Sequence, residues 1–187
     1  MTQFFTSDTH FGHTNIIKYC NRPFTCADEM DEAMIKNWNS VVQPQDTIYH
    51  LGDFGFVHAD KIAKVLKRLN GKKIFIMGNH DKQMRDPSIR GFFEEMTNYK
   101  EIYIRNKQKV VLCHYPFASW NGSFHGSYHL HGHTHNNYHS PMRVLDVGVD
   151  CWNYTPVSYD EIEREMEKRP YPGQNPDMKK HGEYNAE

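Results

Sequence analysis

The stretch Asp46–Asp81 reads DTIYHLGDFGFVHADKIAKVLKRLNGKKIFIMGNHD. It opens and closes on short apolar runs, DTIYHLGD (46–53) and KKIFIMGN (72–79), each emptying into a polar loop, the pattern of a buried strand. Between them HADKIAKVLKRLNG (58–71) places Ile62, Val65, Leu66 and Leu69 at three-to-four spacing, a helix stopped by Gly71. Strand, helix, strand with such short connections favours a parallel sheet layered with helices.

The same pattern extends towards the N-terminus. TQFFTSD (2–8) is a third run of the same shape, and ADEMDEAMIKNWNSVV (27–42) repeats Met30, Met34, Ile35 and Trp38 on one helical face. Downstream, YKEIYIRN (99–106), KVVLCHYP (109–116), the histidine-rich YHLHGHTHNNYH (128–139) and MRVLDVGVD (142–150) read as strands with short links, an antiparallel or mixed sheet. SYDEIEREMEKR (158–169) is an amphipathic helix opened by a serine cap. One α/β domain over residues 1–169 is expected, with 170–187, polar and rich in proline and glycine, as a flexible tail.

The 22 basic and 23 acidic residues leave a net charge of -1, so no bulk field draws in nucleic acid or an anionic membrane. A charged ligand needs a local site. No signal peptide or eighteen-residue apolar run is present, which predicts a soluble cytoplasmic protein. Four scattered cysteines without a CxxC pair read as reduced packing thiols. Histidine is the outlier, at thirteen.

In open α/β sheets ligands gather beyond the carboxyl ends of strands. There the sequence places Asp8 and His10, Asp53, Asn79 and His80, His114, and His133 and His135. Singly, each reads as a turn, cap or hydrogen-bonded residue; five strand ends carrying such groups together point to one site. Imidazole, carboxylate and amide donors without thiolate suit Mn, Fe, Zn, Ni or Co better than Ca or Mg. Asp8, His10, Asn79, His114, His133 and His135 are too many for one ion. With Asp53 able to bridge through both carboxylate oxygens, they fit two divalent ions about 3.5 to 4 Å apart. Such a centre keeps about one positive charge after two aspartates and a bridging hydroxide, and attracts a phosphate ester for in-line attack. His80, beside the ligands, would be the general acid for the leaving alkoxide, with Asp81 orienting or supporting it.

These blocks, Asp8-Thr9-His10, Gly52-Asp53, Gly78-Asn79-His80-Asp81, His114 and Gly132-His133-Thr134-His135, resemble in kind and order the signature of the calcineurin-like metallophosphoesterase superfamily. The resemblance implies a four-layered α/β/β/α sandwich with two mixed central sheets and a binuclear centre, manganese first among its metals. It implies that Asp8, His10 and His135 hold one ion, that Asn79, His114 and His133 hold the other, that Asp53 bridges, and that His80 is the acid. No large insertion or cap is present, so short loops around an open site must select substrate.

DTHFGHTNII, NRPF and VGVDCWNYTPVS further resemble a compact bacterial and phage branch, which draws attention to His13, Asn15, Arg22 and Asp150. Arg22 would contact a substrate phosphate, or else be a solvated surface residue. His13 would support the acid or the substrate, or else be structural. Tyr115, Phe117 and Trp120 offer faces for a nucleobase, with packing as the plainer reading. The partner expected is a small phosphoester, including nucleotide-derived ones. A nuclease acting on DNA or RNA is the alternative, and a non-catalytic scaffold of the same fold is a second.

Overall fold

The computed structural model describes residues 1–174. Its elements run β1 (Gln3–Thr6), α1 (Thr14–Tyr19), α2 (Ala27–Val41), β2 (Thr47–His50), α3 (Ala59–Leu66), β3 (Lys72–Ile76), α4 (Pro87–Arg90), β4 (Phe93–Thr97), β5 (Tyr99–Ile104), β6 (Gln108–Cys113), β7 (Tyr128–His131), β8 (Val144–Asp146), β9 (Val157–Ser158) and α5 (Tyr159–Glu167). Two mixed sheets result, in the orders β4-β3-β2-β1-β9 and β5-β6-β7-β8. In the first, β1 to β4 are parallel and β9 runs antiparallel to β1. In the second, β5–β6 is antiparallel while β6–β7 and β7–β8 are parallel.

Strand alternation decides which side chains face which layer. Phe4, Ile48 and Phe75 point to one face and pack on Met30, Met34, Ile35 and Trp38 of α2 and on Ile62 and Leu66 of α3. Phe5, Tyr49, Ile74 and Ile76 point to the other and meet Ile102, Val110, Leu112, Tyr128 and Leu130 of the second sheet. Tyr159, Ile162 and Met166 of α5 join that inter-sheet core, and α5 touches both β1 and β8. Truncating a fully buried residue such as Ile62 costs about 2–5 kcal/mol.

The expected α/β sandwich with two mixed sheets is thus present. Its outermost layer, over β6–β8, is thin: Trp120, Phe117 and Met142 cover Val111 and Val144, and the helical structure there is the 3-10 turn Ser123–His125 with the turn Pro172–Gln174 packed on it. Helix α3 stops at Leu66, short of the expected Gly71. Gly71 instead takes φ +88°, where a Cβ would lie 2.8 Å from Val42 Cγ1. The serine cap on α5 forms a full capping box, Ser158 accepting from Glu161 N–H while Glu161 accepts from Ser158 N–H.

The domain does not stop at 169. Tyr171 lies under the Arg143 guanidinium at 4.7 Å, and Pro172–Gln174 form a 3-10 turn. The remainder of the expected tail, 175–187, lies outside the described residues. All four cysteines are free, and no described helix is long and apolar enough to cross a membrane.

Candidate metal centre

The pairing of β1 with β2 continues past the strands. Asp8 N–H donates to the Gly52 carbonyl (2.9 Å), His10 N–H to that of Asp53 (3.0 Å) and Phe11 N–H to that of Phe54 (2.9 Å). The Asp8–His10 and Gly52–Phe54 loops are therefore zipped side by side. The neighbouring sheet approaches on small residues: a Cβ on Gly132 would fall 2.0 Å from Ser7 Oγ and 2.3 Å from Asp8 Oδ2. Glycine there is what lets β7 deliver its loop against β1.

Five of the seven expected ligands, Asp8, His10, Asp53, His133 and His135, have φ between 45° and 70°. This left-handed region is uncommon for side-chain-bearing residues and cheapest for Asn, Asp and His. Such strain persists only where the surroundings over-determine it, and it clusters at functional sites. The stretch 128–139, with His133 and His135, was expected to be a strand. Instead β7 ends at His131, and both sit in a turn held by Asp146, which accepts from Thr134 Oγ1 (2.6 Å) and Asn136 N–H (3.2 Å).

The donors fall into two groups, Asp8–His10–His135 and Asp53–His114–His133, each with its ligand atoms within 4.8 Å of one another. In the first, Asp8 Oδ1 lies 3.9 Å from His10 Nε2 and 3.8 Å from His135 Nε2. Such spacings are too long for hydrogen bonds, yet near the upper limit of about 4.4 Å for two atoms each about 2.0–2.2 Å from one cation. Asp8 Oδ1 and His10 Nε2 are buried without a hydrogen-bond partner. Buried polar atoms are rarely left so, and a cation would satisfy both.

The second group makes the same case. His114 Nδ1–H donates to the Leu51 carbonyl (2.7 Å), so in the neutral ring Nε2 carries a lone pair, facing Asn79 Oδ1 at 3.0 Å. Two acceptors face each other there, an arrangement that suits a shared metal.

Asp53 joins the groups. Its Oδ1 accepts from His80 N–H (2.9 Å), and its Oδ2 lies 3.7 Å from His10 Nε2 and 3.5 Å from His114 Nε2. Oδ2 is thus the oxygen that faces a histidine of each group. Burial pushes the Asp8 carboxyl up to about 7 and holds His10 and His133 below the ordinary imidazole value. His135 moves the other way, to about 10: burial opposes its charge, but the hydrogen bonds to Asp150 and Cys20 and the negative charge of Asp8 together outweigh it.

His80 is exposed, its ring 5.9 Å from that of His10 and 5.5 Å from Phe56. His13 stacks on Phe56 (4.4 Å) and lies 5.5 Å from His10. Asn15 is exposed at the start of α1.

Two expectations are overturned. Asp81 does not support the His80 ring: it is buried, and its oxygens accept from the backbone N–H groups of Asp53 (2.7 Å), Phe54 (2.9 Å) and Gly78 (2.7 Å). It clamps two ligand-bearing loops together. Arg22 is neither a phosphate contact nor a surface residue. It is 3% exposed and spends its donors on Asp150 and on the carbonyls of Asp8 and Thr9. Of the three aromatic candidates, Phe117 stacks on His129 and Trp120 is buried, while Tyr115 is exposed with its ring 4.8 Å from His133. His129 and His131 are buried in packing and main-chain hydrogen bonds, and His139 is exposed.

His50 is a support that sequence reasoning missed. Buried and held neutral by burial, with its pKa down at about 3, it donates to Thr9 Oγ1 (3.0 Å) and accepts from Gly52 N–H (3.2 Å), tying the first two motifs together. Its place in TIYHL, two residues from Ile48 on the same strand face, was the available signal. Phe56, between His13 and His80, was missed as well.

The calcineurin-like phosphoesterase family matches residues 1–175, nearly the whole chain. The chain belongs to this family. Its curated relatives include an uncharacterized protein of Methanocaldococcus jannaschii, 40% identical over 170 residues and covering 87% of this chain and 89% of the relative. The gene 66 protein of Mycobacterium phage L5 is 31% identical over 192 residues, covering 84% of this chain and 90% of the relative. Among solved structures, a protein of unknown function from Aquifex aeolicus superposes with a TM-score of 0.72 at 30% identity, covering 88% of this chain and 98% of that one. The calcineurin-like phosphoesterase family binds divalent metals, and the two donor groups are this member's candidate ligands.

Proposed function

We propose that this calcineurin-like phosphoesterase is a binuclear metal-dependent hydrolase of small phosphoesters, with His80 as general acid. The observation that carries the reading is Asp53 Oδ2, which faces His10 of one donor group and His114 of the other. Two divalent ions, manganese first with iron, zinc, nickel or cobalt as alternatives, would polarise the phosphoryl oxygens and supply a hydroxide nucleophile near neutral pH. Asp8 and Asp53 return two of the four positive charges, so the site stays electropositive and draws the phosphate in. His80 stands exposed beside the donors and outside both groups, where it can hand a proton to the departing oxygen.

The rims supply the selection. Phe56, 49% exposed, flanks His80, and Tyr115, 44% exposed, flanks His133. Aromatic faces of this kind stack on bases, which favours nucleotide-derived esters. The balanced charge of the chain favours small substrates over long nucleic acid.

The test is a screen of the metal-loaded protein against nitrophenyl diesters, cyclic nucleotides, dinucleotides, nucleotide monoesters, and single-stranded DNA and RNA. Hydrolysis of the small esters, fastest with manganese, is expected. Phe56→Ala should raise KM for nucleotide esters by about five- to a hundredfold and leave that for a methyl ester nearly unchanged. Faster cleavage of DNA or RNA than of nucleotides would make the protein a nuclease, and inactivity with every metal would favour the scaffold.

A further inference from the structure

Arg22 and Asp150 are 128 residues apart in sequence and meet in a forked ion pair, Nε to Oδ1 at 2.8 Å and one terminal nitrogen to Oδ2 at 2.8 Å. Asp150 comes from the turn Val149–Cys151, and its Oδ2 also accepts from His135 Nδ1–H at 2.7 Å. The remaining Arg22 donors reach the Asp8 carbonyl (2.8 Å), the Thr9 carbonyl (3.1 Å) and Met30 Sδ (3.5 Å). One buried guanidinium thereby holds the backbone of the Asp8–His10 loop, the 149–151 turn and, through Asp150, the ring of His135.

We propose that Arg22 and Asp150 are positioning residues for one of the two metal sites, the one formed by Asp8, His10 and His135; the inference rests on the binuclear reading given above. The hydrogen bond to Asp150 keeps a proton on His135 Nδ1, so Nε2, 3.8 Å from Asp8 Oδ1, is the nitrogen left to give up its proton to an incoming ion. A carboxylate behind a ligand histidine orients the ring and strengthens it as a donor. Arg22 balances that carboxylate, so Asp150 stays ionised in a buried setting without adding net negative charge behind the site. Cys20 Sγ completes the packing, within 4.8 Å of the His135 and Asp150 ligand atoms. The other group is built differently: His114 donates its Nδ1–H to the neutral Leu51 carbonyl (2.7 Å). The two sites therefore respond differently to the loss of Asp150.

The experiment is a manganese titration of the full chain by calorimetry, with bound metal counted by elemental analysis, for wild type, Asp150→Asn, Arg22→Lys, His135→Ala and the Asp150→Asn/His135→Ala pair. Wild type should take two ions. Asp150→Asn should weaken one of them by about 10- to 100-fold and leave the other unchanged, with Arg22→Lys weakening the same ion. On the His135→Ala background, Asp150→Asn should change the remaining ion less than about twofold, because coupled residues are not additive. Equal weakening of both ions, or full additivity with His135→Ala, would mean a merely structural role and overturn the inference. Nitrogen NMR of the zinc-loaded wild-type imidazoles adds a test that needs no variant: His135 should keep its proton on Nδ1, and a proton on Nε2 instead overturns the inference. Wild type binding fewer than two ions would overturn the binuclear reading itself, and this inference with it.

Discussion

Replacing His80 with asparagine is expected to leave both metal ions bound and to lower turnover of alkyl phosphoesters by about 10²- to 10⁴-fold. The ring belongs to neither donor group; its centroid lies 5.9 Å from that of His10 and 5.5 Å from that of Phe56. What holds the loop is main chain, His80 N–H donating to Asp53 Oδ1 at 2.9 Å, and asparagine keeps that bond. The substitution therefore removes a proton donor and little else. An alkoxide needs that proton to depart, whereas nitrophenolate leaves as an anion, so nitrophenyl esters should lose much less. The check pairs turnover on an alkyl and a nitrophenyl ester with the metal content of the purified variant. Equal losses on the two esters, with two ions retained, would remove His80 from the acid role.

The candidate ligands, six of which the fold gathers into two groups, could be picked out of the sequence because their residue types are chemically distinctive and follow strand ends that hydrophobic runs announce. What was not legible depends on contacts across long separations. A charged residue after α1 reads as solvated; Arg22 is buried because Asp150, the Asp8 carbonyl and the Thr9 carbonyl consume its donors. Asp81 follows His80 in sequence and so invited a role on its ring, but the loop turns it inward onto three backbone amides. Alternation in HLHGHTH continues through the letters, while the β7–β8 ladder stops at His131 and Asp146. Beyond it, left-handed φ values at His133 and His135 replace the strand face. No local pattern distinguishes these two outcomes, because Asp and His tolerate that region at modest cost. The strand β4 and the short helix α4 carried no sequence prediction; Glu94 and Glu95 break the apolar run of β4 at an edge where one face meets solvent.

Asp53→Asn is expected to have the largest effect on metal binding, because its carboxylate faces a ligand histidine of each donor group. Its Oδ2 sits 3.7 Å from His10 Nε2 and 3.5 Å from His114 Nε2, while Oδ1 is engaged by His80 N–H. Asparagine matches the shape and can still accept from His80, so the fold has little reason to change. The lost quantity is charge. One unit charge about 4 Å from another, at an effective dielectric of about 20, is worth about 4 kcal/mol, or about a thousandfold in affinity. A divalent ion on each side makes that a lower bound for the pair. The variant should therefore purify with less than one equivalent of tightly held metal. Because ligands that bind only the folded state stabilise it by mass action, it should also lose most of the rise in Tm that manganese gives the wild type. The metal-free proteins should melt close together, since Asp53 has no strong cationic partner other than the metal to lose. Wild-type affinity for two ions in Asp53→Asn would show that Oδ2 is not shared and that the two donor groups act separately. Loss of one ion with the other unchanged would assign Asp53 to a single site, against the bridge that its geometry between His10 and His114 supports.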